Sequence, residues 1–353
     1  MSVFDHPDFD QHEQVAFFNH PQSGLKAIVA IHNTNLGPSL GGCRMWPYAS
    51  FQHALTDVLR LSKGMTYKSA VAGLKLGGGK CVIIGDPRAD KSEAMLLALG
   101  EYINGLSGAY ITAEDSGTSV PDMEVISRST DYVAGINPEG EHGGDPSPTT
   151  AYGTFVGLKA AVKHRFGQSD LTGLKVAIQG VGNVGFHLAR HLKEAGAELI
   201  VSDIFAQNSE RAAEQLGATV VAPTEIYGVQ ADVFAPCALG GSINQDTVHE
   251  LQAKVIAGAA NNQLAQAQVA ETLLEKGILY TPDYVLNAGG IIDIAYQREV
   301  KSREEMLAHV DTIAHTLEEI FGRAQEQGLP TNLVADQVAE QRFNATEDLR
   351  AAS

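Results

Sequence analysis

The sequence predicts an α/β protein of two domains, the second of which contains a doubly wound, Rossmann-type sheet. The chain of 353 residues exceeds one average domain, and 44% of its residues are hydrophobic, so two domains can each bury a core. A strand, a glycine-rich turn and a helix follow one another at 174–194, and further short strands come at regular intervals. The segment 136–148, rich in proline and glycine, predicts a boundary and hinge between the domains.

Composition and charge argue against several classes of partner. The chain has 25 Lys and Arg against 42 Asp and Glu, a net charge of −17, which disfavours nucleic acid and anionic membranes. The three cysteines are too far apart for a CxxC site, which is typical of free thiols in a reducing compartment. There is no metal-ligand cluster, no long apolar run and no signal-peptide pattern. We therefore expect a soluble, cytoplasmic protein without a metal.

Periodicity and turn residues predict the elements of both domains. In the first domain, strands are predicted at 25–31, 81–84 and 110–113 and helices at 50–63 and 90–105. In the second, Thr149 is predicted to cap a helix that bridges the domains, and strands are predicted at 174–179, 198–202, 218–221, 233–236, 254–259 and 277–280. Two C-terminal helices follow, from Met306 to Gly328 and from Leu333. The predicted domains are 1–145 and 146–328, with 329–353 returning toward the first.

Two lysines near a glycine triplet are the main catalytic candidates. Lys68 and Lys80 lie in an otherwise apolar segment, and Lys80 directly follows three glycines, which allow close approach of backbone or substrate. A lysine held in apolar surroundings near another cation is pushed toward its neutral form, which can act as a base or nucleophile. Lys68 could be that cation or could hold a carboxylate. The alternative is a pair of solvated lysines beside a glycine turn.

Asp115 is a second candidate because it comes directly after a predicted strand. Open α/β folds collect functional groups at the carboxyl ends of strands. From position alone, a helix cap or a surface acid is an equally good interpretation.

The segment Gly180-Val181-Gly182-Asn183-Val184-Gly185 matches the pattern GxGxxG between a strand and a helix predicted from Phe186. Such glycines permit a tight turn, the approach of a pyrophosphate to the helix N-terminus, and close packing of helix on strand. Asp203 ends the next strand, roughly 20 residues further on, where a carboxylate binds the adenosine ribose. The pattern therefore predicts dinucleotide binding, with NAD favoured over NADP because Asp203 would repel a 2′-phosphate.

Polar residues beside small ones also follow two later strands. They occur at 259–263, with Asn261 and Asn262, and at 287–290, with Asn287. Asparagine offers a donor and an acceptor without charge, which suits a carboxamide or the polar end of an amino acid. Turn formation is the alternative for any one of them.

Taken together, these segments resemble the glutamate/leucine/phenylalanine/valine dehydrogenases, and the leucine-type members most. The resemblance covers nearly the whole chain and includes 40–46, 65–68, 77–80, 111–115, 180–185, 235–240 and 287–290. It implies that Lys68 binds the substrate carboxylate, Lys80 is the catalytic base and Asp115 assists proton transfer. It implies further NAD contacts from Thr150, Phe186, Cys237, Ala238 and Asn261, substrate contacts from Asn262 and Asn287, and a homo-oligomer, often an octamer.

The resemblance also implies which substrates fit. Leu40 and Ile294 stand where glutamate-specific relatives carry the lysine and serine that receive a side-chain carboxylate. Gly41, Met65, Ala113 and Ile291 complete an aliphatic cavity. Isoleucine at positions 291 and 294 narrows this cavity. An apolar wall cannot compensate a charged side chain for its lost hydration, so glutamate should be rejected.

The sequence thus predicts reversible NAD-dependent oxidative deamination of leucine, valine or isoleucine to a 2-oxo acid and ammonia. Two alternatives stay open. One is a phenylalanine- or tryptophan-type dehydrogenase, since the pair Asn261-Asn262 also occurs in aromatic-specific relatives. The other is a protein that keeps the fold and binds NAD without catalysis.

Overall fold

The computed structural model describes residues 2–136 and 145–351, with side chains to residue 345. The chain forms two compact units. The first comprises Met1–Gly144, Ile294–Ser302 and Ala339–Ser353, and the second Asp145–Asp293 and Arg303–Val338. Most of the predicted boundary segment 136–148 lies outside the described residues.

The first unit is built on a five-stranded mixed sheet. Its strands are β1 (Gln14–His20), β2 (Leu25–Asn33), β3 (Ser39–Trp46), β4 (Gly77–Ile84) and β5 (Tyr110–Glu114), in the order β1-β2-β4-β3-β5. The strand β2 pairs antiparallel with β1 and β4, whereas β3 pairs parallel with β4 and β5. The helices α1 (Phe51–Val71), α2 (Glu93–Gly105) and α3 (Val120–Ser127) complete this part of the unit.

One face of this sheet packs on α1 and the other on α2. On the α1 side, Leu55, Val58 and Leu59 are buried with Ile28 and Val82. On the α2 side, the buried cluster contains helix residues of α2 and strand residues including Cys43 and Cys81. Ser50 caps α1 by accepting the His53 N–H at 3.3 Å. The predicted helix end at residue 63 is wrong, because α1 continues through Gly64 to Val71 and so carries Lys68 in its last turn.

The glycine triplet lies inside β4 instead of preceding the strand that was predicted to start at Cys81. None of Gly77, Gly78 and Gly79 has a positive φ, so the turn conformation is not what they provide. A Cβ on Gly78 would lie 2.0 Å from the Thr66 nitrogen of α1, and one on Gly77 would lie 2.1 Å from the Asn33 carbonyl oxygen. These glycines are therefore required by close packing around β4.

The second unit contains a six-stranded sheet in which every pairing is parallel. Its strands are β6 (Lys175–Gln179), β7 (Glu198–Ser202), β8 (Thr219–Val220), β9 (Val233–Pro236), β10 (Val255–Ile256) and β11 (Leu279–Tyr280). The order β11-β10-β9-β6-β7-β8 reverses direction at β6, which confirms the predicted doubly wound sheet. The outer strands are shorter than predicted.

Nine helices follow the boundary segment in the described part of the chain. They are α4 (Ser147–Phe166), α5 (Asn183–Glu194), α6 (Ala206–Leu216), α7 (Thr247–Glu250), α8 (Val269–Glu275), α9 (Asp283–Leu286), α10 (Gly289–Arg298), α11 (Arg303–Gln327) and α12 (Thr331–Ala351). The predicted capping role of Thr149 is wrong. The helix α4 starts two residues earlier, and the Thr149 hydroxyl donates instead to the Asp293 carboxylate at 2.6 Å.

The end of α12 packs on α1 within the first unit. Arg342 donates to the Val71 carbonyl at 2.8 Å and to the Ala70 carbonyl at 3.4 Å, and the Tyr67 hydroxyl donates to Glu340 at 2.7 Å. Among the described helices, none combines the length and the apolarity that crossing a membrane requires.

Candidate active site and nucleotide-binding turn

Lys80 and Asp115 form a buried ion pair in the first unit. Lys80 lies on β4 with 5% of its surface exposed, and its Nζ donates to the Asp115 carboxylate. Asp115 directly follows β5, as the sequence indicated, and reaches Lys80 across β3, which lies between the two strands. Gly42 of β3 leaves the necessary space, because a Cβ there would lie 2.7 Å from the Asp115 Cβ.

The electrostatic surroundings keep Asp115 ionised. Burial alone would raise its pKa, but the charges of Lys80 and Arg44, with the hydrogen bonds from Lys80 and the Ser116 N–H, lower the pKa to about 2. The Ser116 N–H donates to Oδ1 at 2.6 Å, and Arg44 Nη2 lies 3.6 Å from the same oxygen. At neutral pH the carboxylate is an acceptor that holds the amine of Lys80.

A further polar network continues from this pair, and sequence reasoning did not find it. Arg44 Nη1 donates to both oxygens of Asp57, at 3.0 and 3.3 Å, and the Tyr48 hydroxyl donates to Asp57 at 2.5 Å. Arg44 lies in the segment 40–46, one of those that carry the family resemblance. That membership was the one sequence feature that could have marked Arg44 as functional. Asp57 lies on α1, 13 residues after Arg44 and on a different element, so only the packing of α1 on the sheet reveals the contact.

Lys68 follows the contact between α1 and β4 by two residues. Gly78 packs against Thr66, and Lys68 and Lys80 each lie two residues further along their own elements. Lys68 is half-buried. The two roles weighed for it, a supporting cation and a carboxylate binder, stay predictions; the charge that Lys80 contacts is the carboxylate of Asp115.

Two of the predicted wall residues, Leu40 and Ala113, share the α1 face of the sheet. Side chains alternate along a strand, and Leu40 pairs with Gly78 while Ala113 pairs with Gly42. Leu40 and Ala113 are each 2% exposed, and Met65 is half-buried on α1. Gly41 has a packing reason of its own, because a Cβ there would lie 1.7 Å from the Gly79 carbonyl oxygen. On α10, Ile291 is buried and Ile294 half-buried.

In the second unit, the predicted GxGxxG segment forms a tight turn before α5. Gly180 has φ +89°, which favours glycine. Gly185 lets α5 approach the turn, since a Cβ there would lie 2.0 Å from the Gly180 carbonyl oxygen. A Cβ on Gly182 would meet nothing within 4 Å, so the turn is open at that position. Asn183 and Val184 form the first turn of α5, three residues earlier than predicted.

Asp203 closes this turn from the end of β7. Its Oδ2 accepts the Val181 N–H at 2.9 Å, and its Oδ1 accepts the Phe205 N–H at 2.9 Å. Since each carboxylate oxygen can accept a second hydrogen bond, the contacts leave acceptor capacity for two ribose hydroxyls. Arg211, which the sequence did not single out, lies 3.9 Å from the Phe186 ring centroid and donates to the Val181 carbonyl at 3.2 Å.

The asparagine segments meet in the second unit. Asn287 is 4% exposed, and its Nδ2 donates to Asn261 Oδ1 at 2.5 Å and to the Ala259 carbonyl at 3.1 Å. Its Oδ1 is buried and has no hydrogen-bond partner among the described residues. A buried acceptor of this kind fits a ligand that carries a donor. Asn262 is exposed, with φ +51°.

The remaining cofactor candidates lie on the same unit. Thr150 donates from Oγ1 to the Pro146 carbonyl at 2.9 Å. It also packs on Gly290, where a Cβ would lie 2.7 Å from Thr150 Oγ1. Desolvation raises the pKa of the half-buried Cys237 thiol to about 12, so this cysteine lines the turn as a neutral thiol. Ala238 is exposed next to the turn, and a Cβ on Gly180 would lie 2.8 Å from its Cβ.

The sequence matches two models of one known protein family. Residues 12–132 match the model described as Glu/Leu/Phe/Val dehydrogenase, dimerisation domain. Residues 144–206 and 203–345 match the model described as Glutamate/Leucine/Phenylalanine/Valine dehydrogenase. The two models cover most of both units.

Individual relatives agree with the family models. A leucine dehydrogenase of Geobacillus stearothermophilus is 53% identical over 99% of this chain and 96% of its own length. A valine dehydrogenase of Streptomyces virginiae is 47% identical over 96% of each chain. The crystal structure of L-tryptophan dehydrogenase from Nostoc punctiforme has a TM-score of 0.86 at 46% identity, covering 96% of this chain and 97% of its own. The chain belongs to the Glu/Leu/Phe/Val dehydrogenase family, as predicted, and is an amino-acid dehydrogenase.

Proposed function

We propose that the protein catalyses the reversible, NAD-dependent oxidative deamination of branched-chain L-amino acids to 2-oxo acids and ammonia. The observation that carries this proposal is the buried Lys80–Asp115 pair on the face of a sheet that also presents the apolar Leu40 and Ala113. A buried charge pair supplies acid–base chemistry, and the apolar neighbours suit an aliphatic side chain. The leucine dehydrogenases at about half identity support the same substrate class.

Each polar group in the first unit has a separate role in this proposal. Lys68 binds the carboxylate of the amino acid. Bound NAD would supply the acceptor for the hydride that leaves the substrate Cα as the imino acid forms. Lys80, once its ammonium has passed a proton to solvent, takes a proton from the water that attacks the imine carbon. Asp115 orients the amine and stabilises the positive charge that develops on it. Collapse of the carbinolamine releases ammonia and the 2-oxo acid.

The second unit fits a dinucleotide. The turn at Gly180, Val181 and Gly182 leads into the first residues of α5, which are Asn183, Val184, Gly185 and Phe186. Together they would hold the pyrophosphate at the open position of Gly182. Asp203 would accept the ribose hydroxyls, with Cys237 and Ala238 as a wall beside the turn. We assign Thr150 and Asn261 to the nicotinamide end, and Asn262 and Asn287 to the substrate's amino and carboxylate end. The unpartnered Oδ1 of Asn287 supports a ligand donor there.

The choice of NAD over NADP depends on the charge of Asp203 in this proposal. Replacing Asp203 with alanine removes both the ribose acceptor and the repulsion of a 2′-phosphate. We expect kcat/KM with NAD to fall and the ratio of kcat/KM for NAD over NADP to drop by at least about tenfold. An unchanged ratio would show that another residue selects the cofactor.

Substrate choice can be measured directly from initial rates of NADH formation. We expect L-leucine, L-valine and L-isoleucine all to be oxidised. Their kcat/KM values should differ by no more than about 10–200-fold, because one methylene changes the transition-state binding free energy by only about 1–3 kcal/mol. Met65, Gly41, Ile291 and Ile294 would complete the aliphatic wall. L-Glutamate should be rejected because its carboxylate would face Leu40 and Ile294 without a cation. A preference for glutamate would overturn the proposal.

One alternative substrate class has a specific observation in its favour. The L-tryptophan dehydrogenase of Nostoc punctiforme is 47% identical over 94% of this chain. Including L-phenylalanine and L-tryptophan in the same rate measurements separates the two classes. A larger kcat/KM for an aromatic amino acid would favour this alternative.

The assembly and cellular location are also part of the proposal. The match to a dimerisation domain supports a homo-oligomer, and we propose an octamer. Light scattering coupled to size-exclusion chromatography gives the subunit number directly. The three cysteines are free, which supports a reducing, cytoplasmic environment.

A further inference from the structure

We propose that Arg44 is a positioning residue, which holds the Asp115 carboxylate against Lys80 by tethering it to Asp57 on α1. This inference rests on the proposed function, in which Lys80 and Asp115 carry the proton transfers. It concerns a residue that neither the lysine motif nor the strand-end carboxylate identified.

The guanidinium of Arg44 contacts two carboxylates with two different nitrogens. Nη1 donates to Asp57 at 3.0 and 3.3 Å, whereas Nη2 lies 3.6 Å from Asp115 Oδ1. The guanidinium is planar and rigid, so fixing Nη1 on Asp57 also fixes the position of Nη2. Asp57 lies on α1, and the tether therefore joins the helix to the carboxylate at the end of β5.

Tyr48 fixes the far end of this tether. Its hydroxyl donates to Asp57 Oδ2 at 2.5 Å. Burial and the hydrogen bond to the Asp57 carboxylate raise the pKa of Tyr48 far above its usual range, so it is a neutral donor throughout the working pH range. The orientation of Asp57 is thus held from one side by Tyr48 and from the other by Arg44.

Asp115 has few other constraints on its orientation. Its Oδ2 takes the Lys80 ammonium, and its Oδ1 takes the Ser116 N–H, which belongs to the next residue in the same loop. Arg44 supplies a contact to Oδ1 from a different element of the fold. Without it, the carboxylate oxygens are held only by Lys80 and the Ser116 N–H among the described contacts, and the direction of the Lys80 amine is less well defined. Errors of about 1 Å in such a geometry cost up to roughly a hundredfold in rate.

The site of Arg44 is also accessible to small solutes. Arg44 is 26% exposed in its side chain and lines a cavity of about 530 Å³, together with Tyr48, Asp57, Arg60 and Ser116. If Arg44 is shortened to alanine, a free guanidinium ion can enter from this cavity and occupy the position between the two carboxylates. A residue that only stabilises the fold would not be replaced in this way during an assay.

The experiment compares wild type, Arg44→Ala and Arg60→Ala with and without added guanidinium chloride. Arg60 lines the same cavity but pairs with Asp8 at 2.7 Å and is 67% exposed, so it is a matched control. For Arg44→Ala we expect kcat with L-leucine to fall by about 10–100-fold, with a smaller change in KM, because catalysis is lost more than binding. Arg60→Ala should keep the wild-type kcat.

Guanidinium at about 50 mM, far below unfolding concentrations, should restore a large part of the lost kcat in Arg44→Ala, whereas urea at the same concentration should not. Wild type and Arg60→Ala should not be activated. A normal kcat in Arg44→Ala, or a loss that neither solute reverses, would overturn the proposal. If Arg44→Ala does not fold, Arg44→Lys replaces it: lysine is a single point charge and cannot contact both carboxylates, so wild-type kcat in that variant would also overturn the proposal.

Lys80→Ala separates this inference from the proposed function. If Lys80→Ala is inactive and Arg44→Ala behaves as wild type, the proposed function stands and the role of Arg44 is rejected. If Lys80→Ala keeps full activity, the proposed mechanism itself fails.

Discussion

Two glycine-rich segments of this protein look alike in sequence but use glycine for different physical reasons. Gly77, Gly78 and Gly79 lie inside β4 with ordinary backbone angles, and a Cβ on any of them would collide with a neighbouring atom. In the turn before α5, Gly180 needs a positive φ, and Gly182 faces open space. The first segment permits tight internal packing around a buried charge pair, whereas the second leaves room for a ligand.

The comparison teaches that a glycine pattern does not by itself define a turn. In the first unit, close approach of α1 to β4 buries Lys80 and places it beside Asp115. In the second, the same residue type shapes a surface. Substitutions in the two segments should therefore affect different properties, stability in one and cofactor affinity in the other.

The largest effect is expected for Gly78→Ala. The added Cβ would lie 2.0 Å from the Thr66 nitrogen, a backbone atom that cannot move without shifting α1. We expect the free energy of unfolding to fall by at least about 3 kcal/mol, measured by urea denaturation. Gly64→Ala, in the same helix as Thr66, is the control. Its Cβ meets nothing within 4 Å, so the free energy of unfolding should rise by about 0.5–1 kcal/mol. Equal stabilities of the two variants would contradict the packing role.

A smaller effect is expected for Asp115→Asn, and it should depend on pH. Lowering the pKa of Asp115 to about 2, against the unfolded value of 3.8, contributes about 2 kcal/mol of stability at neutral pH. Because the folded pKa is lowered, this contribution is complete above about pH 4 and is lost as the pH falls toward 2. The unfolding free energies of wild type and variant should therefore differ at pH 6 and converge near pH 2. A difference that does not change with pH would refute the charge interaction as its origin.

The smallest effect on folding is expected for Gly182→Ala. A Cβ at this open position should leave the unfolding free energy within about 0.5 kcal/mol of wild type. It would, however, occupy space that the pyrophosphate needs, so the Kd for NADH should rise by at least about tenfold in a fluorescence titration. Gly228→Ala, also in open surroundings on this unit, should leave the Kd unchanged. Unaltered affinity in Gly182→Ala would mean that the ligand does not approach this turn.

The sequence predicted local features well where one element carries the whole signal. The turn at Gly180, the strand before it and the position of Asp203 follow one another within a single βαβ unit. The same holds for Asp115, which directly follows a strand with a clear apolar pattern. In these cases, the residues that decide the structure are neighbours in the chain.

Features that depend on tertiary packing were not predictable in the same way. The strand β3 contains Gly41 and Gly42, which weaken any strand pattern, and its pairing with β4 and β5 explains why they are needed. The contact of Arg44 with Asp57 and Asp115 joins three elements and follows only from their packing. Similarly, Arg211 reaches the glycine turn from α6, and no local pattern marks it.

The most direct test of the account is turnover by Lys80→Ala beside its matched control Lys75→Ala. Lys75 lies five residues earlier in the same segment but is exposed, whereas Lys80 is buried against Asp115. With L-leucine and NAD, we predict that Lys80→Ala loses at least about a thousandfold in kcat while its Kd for NADH stays within twofold of wild type. Lys75→Ala should retain most of the activity. Full activity of Lys80→Ala, with folding and NADH binding intact, would contradict the account.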